Sequence, residues 1–192
     1  MPSTTYDYEQ PYLEAALEQG KNFLLSKDVF WNPGLKSPSG HPPYPQLSLA
    51  NILLSARLLD AVKESQQLSP EQRDQISQLK TALDNLHNEW QSAWQTKAQL
   101  EFALRLREFS RLLDELSTSE NDLTFNNGLR IRTLLQLLLP EMDQKASPLK
   151  SELDLHDQRL KQLSQPADFQ WAQTLEQVFP IEDFGFLYTQ IK

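Results

Sequence analysis

The chain holds three histidines, and two of them stand beside acids at helical spacing. Asp84 and His87 are three apart; Glu152 and His156 are four apart, with Asp154 and Asp157 beside them, so on a helix each pair shares a face. A di-iron bundle needs two Glu-x-x-His motifs plus a glutamate from each of two further helices. Neither pair has that spacing, so the expectation is two surface histidines beside ordinary acids and no metal. The Walker, GxGxxG, GxSxG and HExxH patterns are absent. With no cysteine there is no thiolate nucleophile, disulfide, iron–sulfur cluster or cysteine-bound zinc. No catalytic residue and no cofactor are assigned.

Two other groupings could bind without reacting. Arg105, Arg107 and Arg111, with Arg130 and Arg132 further on, form the only basic concentration, and a turn between them could bring Arg105 and Arg130 together on an anion. The competing use is local pairing: Glu101 precedes Arg105 by four, and Glu108, Asp114 and Glu115 interleave. Trp90 and Trp94 lie one turn apart, and Trp31 and Tyr44 fall in a loop. Together these four could line an apolar pocket or form an interface hot spot; tryptophans at such positions more commonly fill a core.

Helices must position these residues. A first helix, from about Tyr8–Pro11 to Ser26, puts Leu13, Ala16, Leu17, Gly20, Phe23 and Leu24 on one face, and Ala16 with Gly20 lets another helix come close. Five prolines and two glycines then forbid regular structure over 28–46. Phe30, Trp31 and Tyr44 give this loop apolar anchors that a disordered linker lacks, so it is expected to be an ordered strap. Pro42-Pro43-Tyr44-Pro45 is neither Pro-Pro-x-Tyr nor flanked by the basic residue an SH3 ligand carries, and its expected role is structural.

Ser48 should cap a second helix running to about Gln66. Ser69-Pro70-Glu71-Gln72 combines an N-cap serine, a proline at the first helical position and a glutamine at the capping-box position. No Gly or Pro occurs from there to Asn127. Ile76, Leu79, Leu83, Leu86 and Trp90 form a seam that resumes after 95–99, shifted in phase, as Phe102, Leu106, Phe109, Leu113 and Leu116. One helix from Pro70 to about Ser117 is predicted, roughly 70 Å long at 1.5 Å per residue. A compact domain of this size is about 40 Å across, so either the helix bends near 95–99 or a second copy covers it in a homodimer. Further helices are predicted from about Asn126 to Gln144, kinked by Pro140, from Pro148 through Leu163, and from Pro166 through Phe179. Phe184, Phe186, Leu187, Tyr188 and Ile191 should be core, and Phe184, Leu187, Tyr188 and Ile191 fit helical spacing. Helix is preferred to strand there because no partner strand is evident.

Composition is that of an ordinary globular chain, 39% hydrophobic and 23% charged. A net charge of −8, with no strongly basic segment, argues against nucleic acid and against anionic lipid. The most apolar run, 129–139, is too short to span a bilayer and contains Arg130 and Arg132. No signal-peptide pattern opens the chain, and a cytoplasmic location is expected. The expected fold is one all-α domain over 1–192, an irregular bundle of five to seven helices around one long helix. The favoured function is a non-catalytic intracellular protein-interaction or scaffold subunit. The alternative is a helical bundle binding a small molecule or anion in an aromatic-lined pocket.

Overall fold

A computed structural model describes residues 5–65, 68–119, 121–143 and 147–192, and helices carry nearly all of their regular structure. The α-helices are α1 (Tyr6–Leu25), α2 (Leu49–Ser65), α3 (Pro70–Glu89), α4 (Gln91–Thr118), α5 (Asp122–Leu138), α6 (Ser147–Leu163) and the single turn α7 (Ile181–Phe184). The all-α expectation therefore holds. Side-chain chemistry sets several boundaries. Ser69 and Gln72 form the reciprocal capping box, with Gln72 N–H donating to Ser69 Oγ and Ser69 N–H to Gln72 Oε1. Asn121 Oδ1 accepts from the amides of Leu123 and Thr124 at the start of α5, and Ser48 Oγ accepts from Asn51 N at the start of α2. Pro140 converts the end of α5 into a short 3-10 turn, Leu139–Glu141. The expected helix ends at Gln66 and Gln144 lie outside the described residues.

Over 70–118 the structure differs from the single long helix. Trp90 leaves helical geometry at φ −116°, ψ 30°, and separates α3 from α4. No local breaker causes this. Packing around the junction is what differs: Lys21 Nζ lies 5.2 Å from the Trp90 ring centroid, while Trp94 is buried with its ring 5.0 Å from that of His87. The interruption is confined to one residue, since Trp90 N–H donates to Leu86 O at 3.0 Å and Trp94 N–H to Trp90 O at 2.9 Å, and it falls five residues before the 95–99 stretch where a bend was expected.

The residues group into two compact units, Met1–Lys97 and Ala98–Lys192, with the boundary inside α4. In the first unit α1 packs on α2 and α3, burying Tyr12, Leu13, Ala16 and Phe23 with Leu49, Ile52, Leu59, Val62 and Ile76. Gly20 marks a close approach: a Cβ there would meet the Leu86 side chain, Cδ2 at 2.5 Å, and that side chain would have to shift. The loop over 26–48 is described throughout and lies against α1, as expected of a strap. Phe30, expected to anchor it, is instead 38% exposed.

In the second unit Phe102, Leu106, Phe109 and Leu113 of α4 share a core with Leu129, Leu134 and Leu138 of α5 and Leu153 and Leu160 of α6. The predicted helix from Pro166 to Phe179 does not form. Ser164–Pro166 is instead a strand, β1, and only a 3-10 segment, Gln173–Val178, follows. Trp171, Phe179 and Phe184 pack edge to face at 5.0 Å centroid spacings, so aromatic contacts rather than helical hydrogen bonds organise this stretch. Of the tail residues expected in the core Phe184 and Leu187 are buried, whereas Phe186, Tyr188 and Ile191 are half-buried, and the tail is not one helix. After α7 and a 3-10 turn, Gly185–Tyr188, it ends as β2, Thr189–Ile191, antiparallel to β1 with Ser164 opposite Ile191. The partner strand was there, hidden in a proline-terminated triplet.

Candidate functional site

The strap brings aromatic and polar groups onto α1. Its base is pinned. Trp31 and Leu47 exchange backbone hydrogen bonds at 2.8 and 2.7 Å, and Trp31 Nε1–H donates to Gln19 Oε1 at 2.9 Å. Gln19 Nε2–H in turn donates to Pro33 O at 2.9 Å. Lys97, buried although charged, donates to the loop carbonyls Ser26 O (2.9 Å) and Asp28 O (2.8 Å) just beyond the end of α1.

The crown of the strap, 41–46, rests on rings. His41, Tyr8, Tyr44 and Tyr12 form a column with successive centroid spacings of 5.2, 4.7 and 5.5 Å. Tyr12 O–H donates to Gln46 O at 3.1 Å, and Tyr8 O–H to Pro43 O at a long 3.4 Å. Between the two limbs lies an open cavity of about 450 Å³, lined by Asn32, Pro33, Leu35, Lys36, Ser37, Pro43, Tyr44 and Gln46. Gly34 and Gly40, at φ 69° and 84°, supply left-handed turns that other residues adopt at a cost.

Glu9, next to Tyr8 on α1, is 4% exposed. Ser55 Oγ–H donates to its Oε2 at 2.7 Å. Burial pushes the Glu9 carboxyl up to about 7, with the Ser55 hydrogen bond opposing in the smaller measure. Burial, and then the nearby Glu9 charge, push the Tyr44 phenol up as well. The Tyr44 hydroxyl is buried and finds no hydrogen-bond partner among the described residues. A neutral carboxylic acid is the form of Glu9 that suits so dry a position.

Of the residues singled out in the sequence, Trp31 and Tyr44 both belong to the strap, Trp31 packing on Phe23 and Tyr44 on Tyr8 and Tyr12, and of the two Tyr44 alone is in the cavity lining. Trp94 is 2% exposed, and neither it nor the half-buried Trp90 lines the cavity. In the second unit Arg105 Nε–H donates to Glu101 Oε1 at 2.7 Å, both side chains buried, which is the local pair anticipated from their spacing. Arg130 is half-buried. Arg132 makes two hydrogen bonds to Asp157 (2.6 and 2.9 Å) and one to Gln136 (3.0 Å), with its guanidinium 4.6 Å from the Phe186 ring centroid.

His156 corrects the surface reading. It is 9% exposed, with its ring edge-on to Phe109. Glu152 Oε1 is 3.8 Å away, and burial holds the imidazole below its ordinary proton affinity. Position supplied the missed signal, since His156 falls between Leu153 and Leu160 on the apolar stripe of α6. Glu9 and Ser55 were missed in the same way: Glu9 stands four before Leu13, and Ser55 three after Ile52 and four before Leu59, all seam positions.

Among the described residues no helix is long and apolar enough to cross a membrane, and no group of three or more His, Asp or Glu side chains is placed to hold a metal ion. Comparison with protein-family models, curated proteins and solved structures finds no match.

Proposed function

We propose that the protein is a non-catalytic binder of a small organic acid, with the strap cavity as its ligand site. The observation that carries this reading is the cavity of about 450 Å³ on a proline-stiffened, aromatic-anchored strap, within the range of small-molecule sites. Its lining suits such a ligand. Pro33, Leu35, Pro43 and the Tyr44 ring offer an apolar body, and Asn32, Ser37 and Gln46 offer hydrogen bonds. Lys36, the one charged side chain in the lining, selects for a negative group. A thermal-shift screen comparing benzoate and 4-hydroxybenzoate with benzamide tests this. Stabilisation by the acids, absent for the amide and lost in Lys36→Gln, supports it; equal responses to acid and amide count against it.

A second reading, a protein-interaction subunit, is favoured by Leu100 and Leu104. They are 49% and 40% exposed one turn apart on α4, where bare leucines are candidates for a partner's surface. Light scattering separates the cases within this reading: a dimer abolished by Leu104→Glu supports a second copy, whereas a monomeric mass removes it.

A further inference from the structure

We propose that the strap cavity takes its acid in one direction. The carboxylate sits on the limb 35–37, held by the Lys36 ammonium and the backbone N–H groups of Leu35, Lys36 and Ser37, and the apolar body lies toward Pro43 and Tyr44. This rests on reading the cavity as the ligand site and adds the orientation and the charge of the group it accepts.

The two limbs differ in the groups they leave unused. On the first, Gly34 N–H donates to Asn32 Oδ1 at 2.9 Å and Pro33 O accepts from Gln19, which fixes the turn at 32–34. The next three amides, those of Leu35, Lys36 and Ser37, have no acceptor among the described residues. Neither the Lys36 ammonium nor the Ser37 hydroxyl has a partner there either, and all three residues line the cavity. A backbone N–H that the fold leaves unpaired takes water or a ligand's acceptor. Successive N–H groups are a recurring way to hold an anion, and Lys36 adds a charge-assisted donor.

The facing limb is engaged differently. Pro43 O accepts from Tyr8 O–H, and Gln46 O accepts from Tyr12 O–H and from Asn51 Nδ2–H (2.9 Å), so these carbonyls are committed to α1 and α2. Prolines at 42, 43 and 45 leave this limb two amides, those of Tyr44 and Gln46, which are not consecutive. It brings no charged side chain to the lining. The Tyr44 hydroxyl is buried, so what its side chain offers the cavity is ring carbon. One limb is rich in free donors and the other in apolar surface, which orients an acid with its carboxylate on 35–37. The charge follows from the same lining. A single cation matches a carboxylate, with one negative charge, better than a phosphate monoester, with about two.

The test is an NMR titration of the intact chain with 4-methylbenzoate, whose methyl group marks the end remote from the carboxylate, and separately with phenyl phosphate. The amide protons of Leu35, Lys36 and Ser37 should move downfield and saturate, while the methyl protons give intermolecular contacts to Pro43 and the Tyr44 ring. Phenyl phosphate should bind no more tightly than 4-methylbenzoate. Lys36→Gln should weaken 4-methylbenzoate about tenfold, the scale of one lost hydrogen bond to a charged group, and Lys36→Arg should keep most of the affinity. Saturable shifts in the lining with the methyl contacts on 35–37 overturn the orientation and leave the cavity reading standing. Tighter binding of phenyl phosphate overturns the charge assignment and likewise leaves the cavity standing. Absence of saturable shifts in the lining removes the cavity reading, and the orientation with it.

Discussion

Ser55 on α2 and Glu9 on α1 are joined by a 2.7 Å hydrogen bond, the one that the buried Glu9 carboxyl receives among the described residues. A carboxyl raised from its ordinary 4.5 to about 7 binds its proton more tightly in the folded chain than in the unfolded one. Its contribution to stability is therefore complete below about pH 4.5 and is lost as pH rises through about 7. The full span corresponds to on the order of 3 kcal/mol at about 1.4 kcal/mol per tenfold. Urea unfolding at pH 5.5 and 8 should show the wild type losing stability as pH rises, and Glu9→Gln losing markedly less. A wild-type curve as flat as that of the variant would refute this.

Acid should act in the opposite direction on the second unit. His156 is buried with its proton affinity depressed, so the unfolded chain takes up this proton first. Its contribution is present above the ordinary imidazole value of 6.5 and declines as pH falls through and below that value. Phe can occupy the same place against Phe109 without charging. His156→Phe should flatten the acid limb of the stability profile below pH 6.5, measured by unfolding between pH 5 and 7.

Gly20 faces the Leu86 side chain so closely that a methyl group fits only if Leu86 shifts. Alanine gains about 1 kcal/mol of helix propensity over glycine, but overpacking costs about 1–3 kcal/mol. Gly20→Ala should therefore be neutral or destabilising by up to about 2 kcal/mol on those magnitudes. In a Leu86→Ala background the same substitution should become stabilising. A double-mutant cycle by urea denaturation reads the sign change.

Phe184 and Leu187 are 2% and 0% exposed close to the end of the chain. Phe184→Ala should cost about 3–5 kcal/mol, the usual range for removing a buried ring. Deletion of 184–192 should lower the melting temperature further, because it also removes β2. A melting curve unchanged by the deletion would show the tail to be dispensable.

Most helix starts are legible because one side chain decides each of them, as Ser69 with Gln72 and Ser48 show. The break at Trp90 is not legible, because no Gly or Pro marks it and its setting is tertiary, with Lys21 over Trp90 and Trp94 buried against His87. Ser164–Pro166 is too short for alternation to announce a strand, and its partner lies at the other end of a non-helical segment. For the candidate site, Trp31 and Tyr44 could be read as strap anchors because proline-rich loops seldom carry such rings without packing them. Glu9 escaped notice because an acid on an apolar seam reads as a lapse in the pattern. Only the burial and the Ser55 partner reveal it as a group of its own. Arg105 and Arg132 looked available for an anion, yet Glu101 and Asp157 engage them.

The most direct measurement of strap binding is an amide-resolved NMR titration of the intact chain with benzoate, against benzamide, at pH 6. Saturable shifts should concentrate on the amides of Asn32, Leu35, Lys36, Ser37, Tyr44 and Gln46, and should weaken in Lys36→Gln. Shifts that are absent, that benzamide reproduces, or that gather around Leu100 and Leu104 on α4 would contradict the strap as the ligand site.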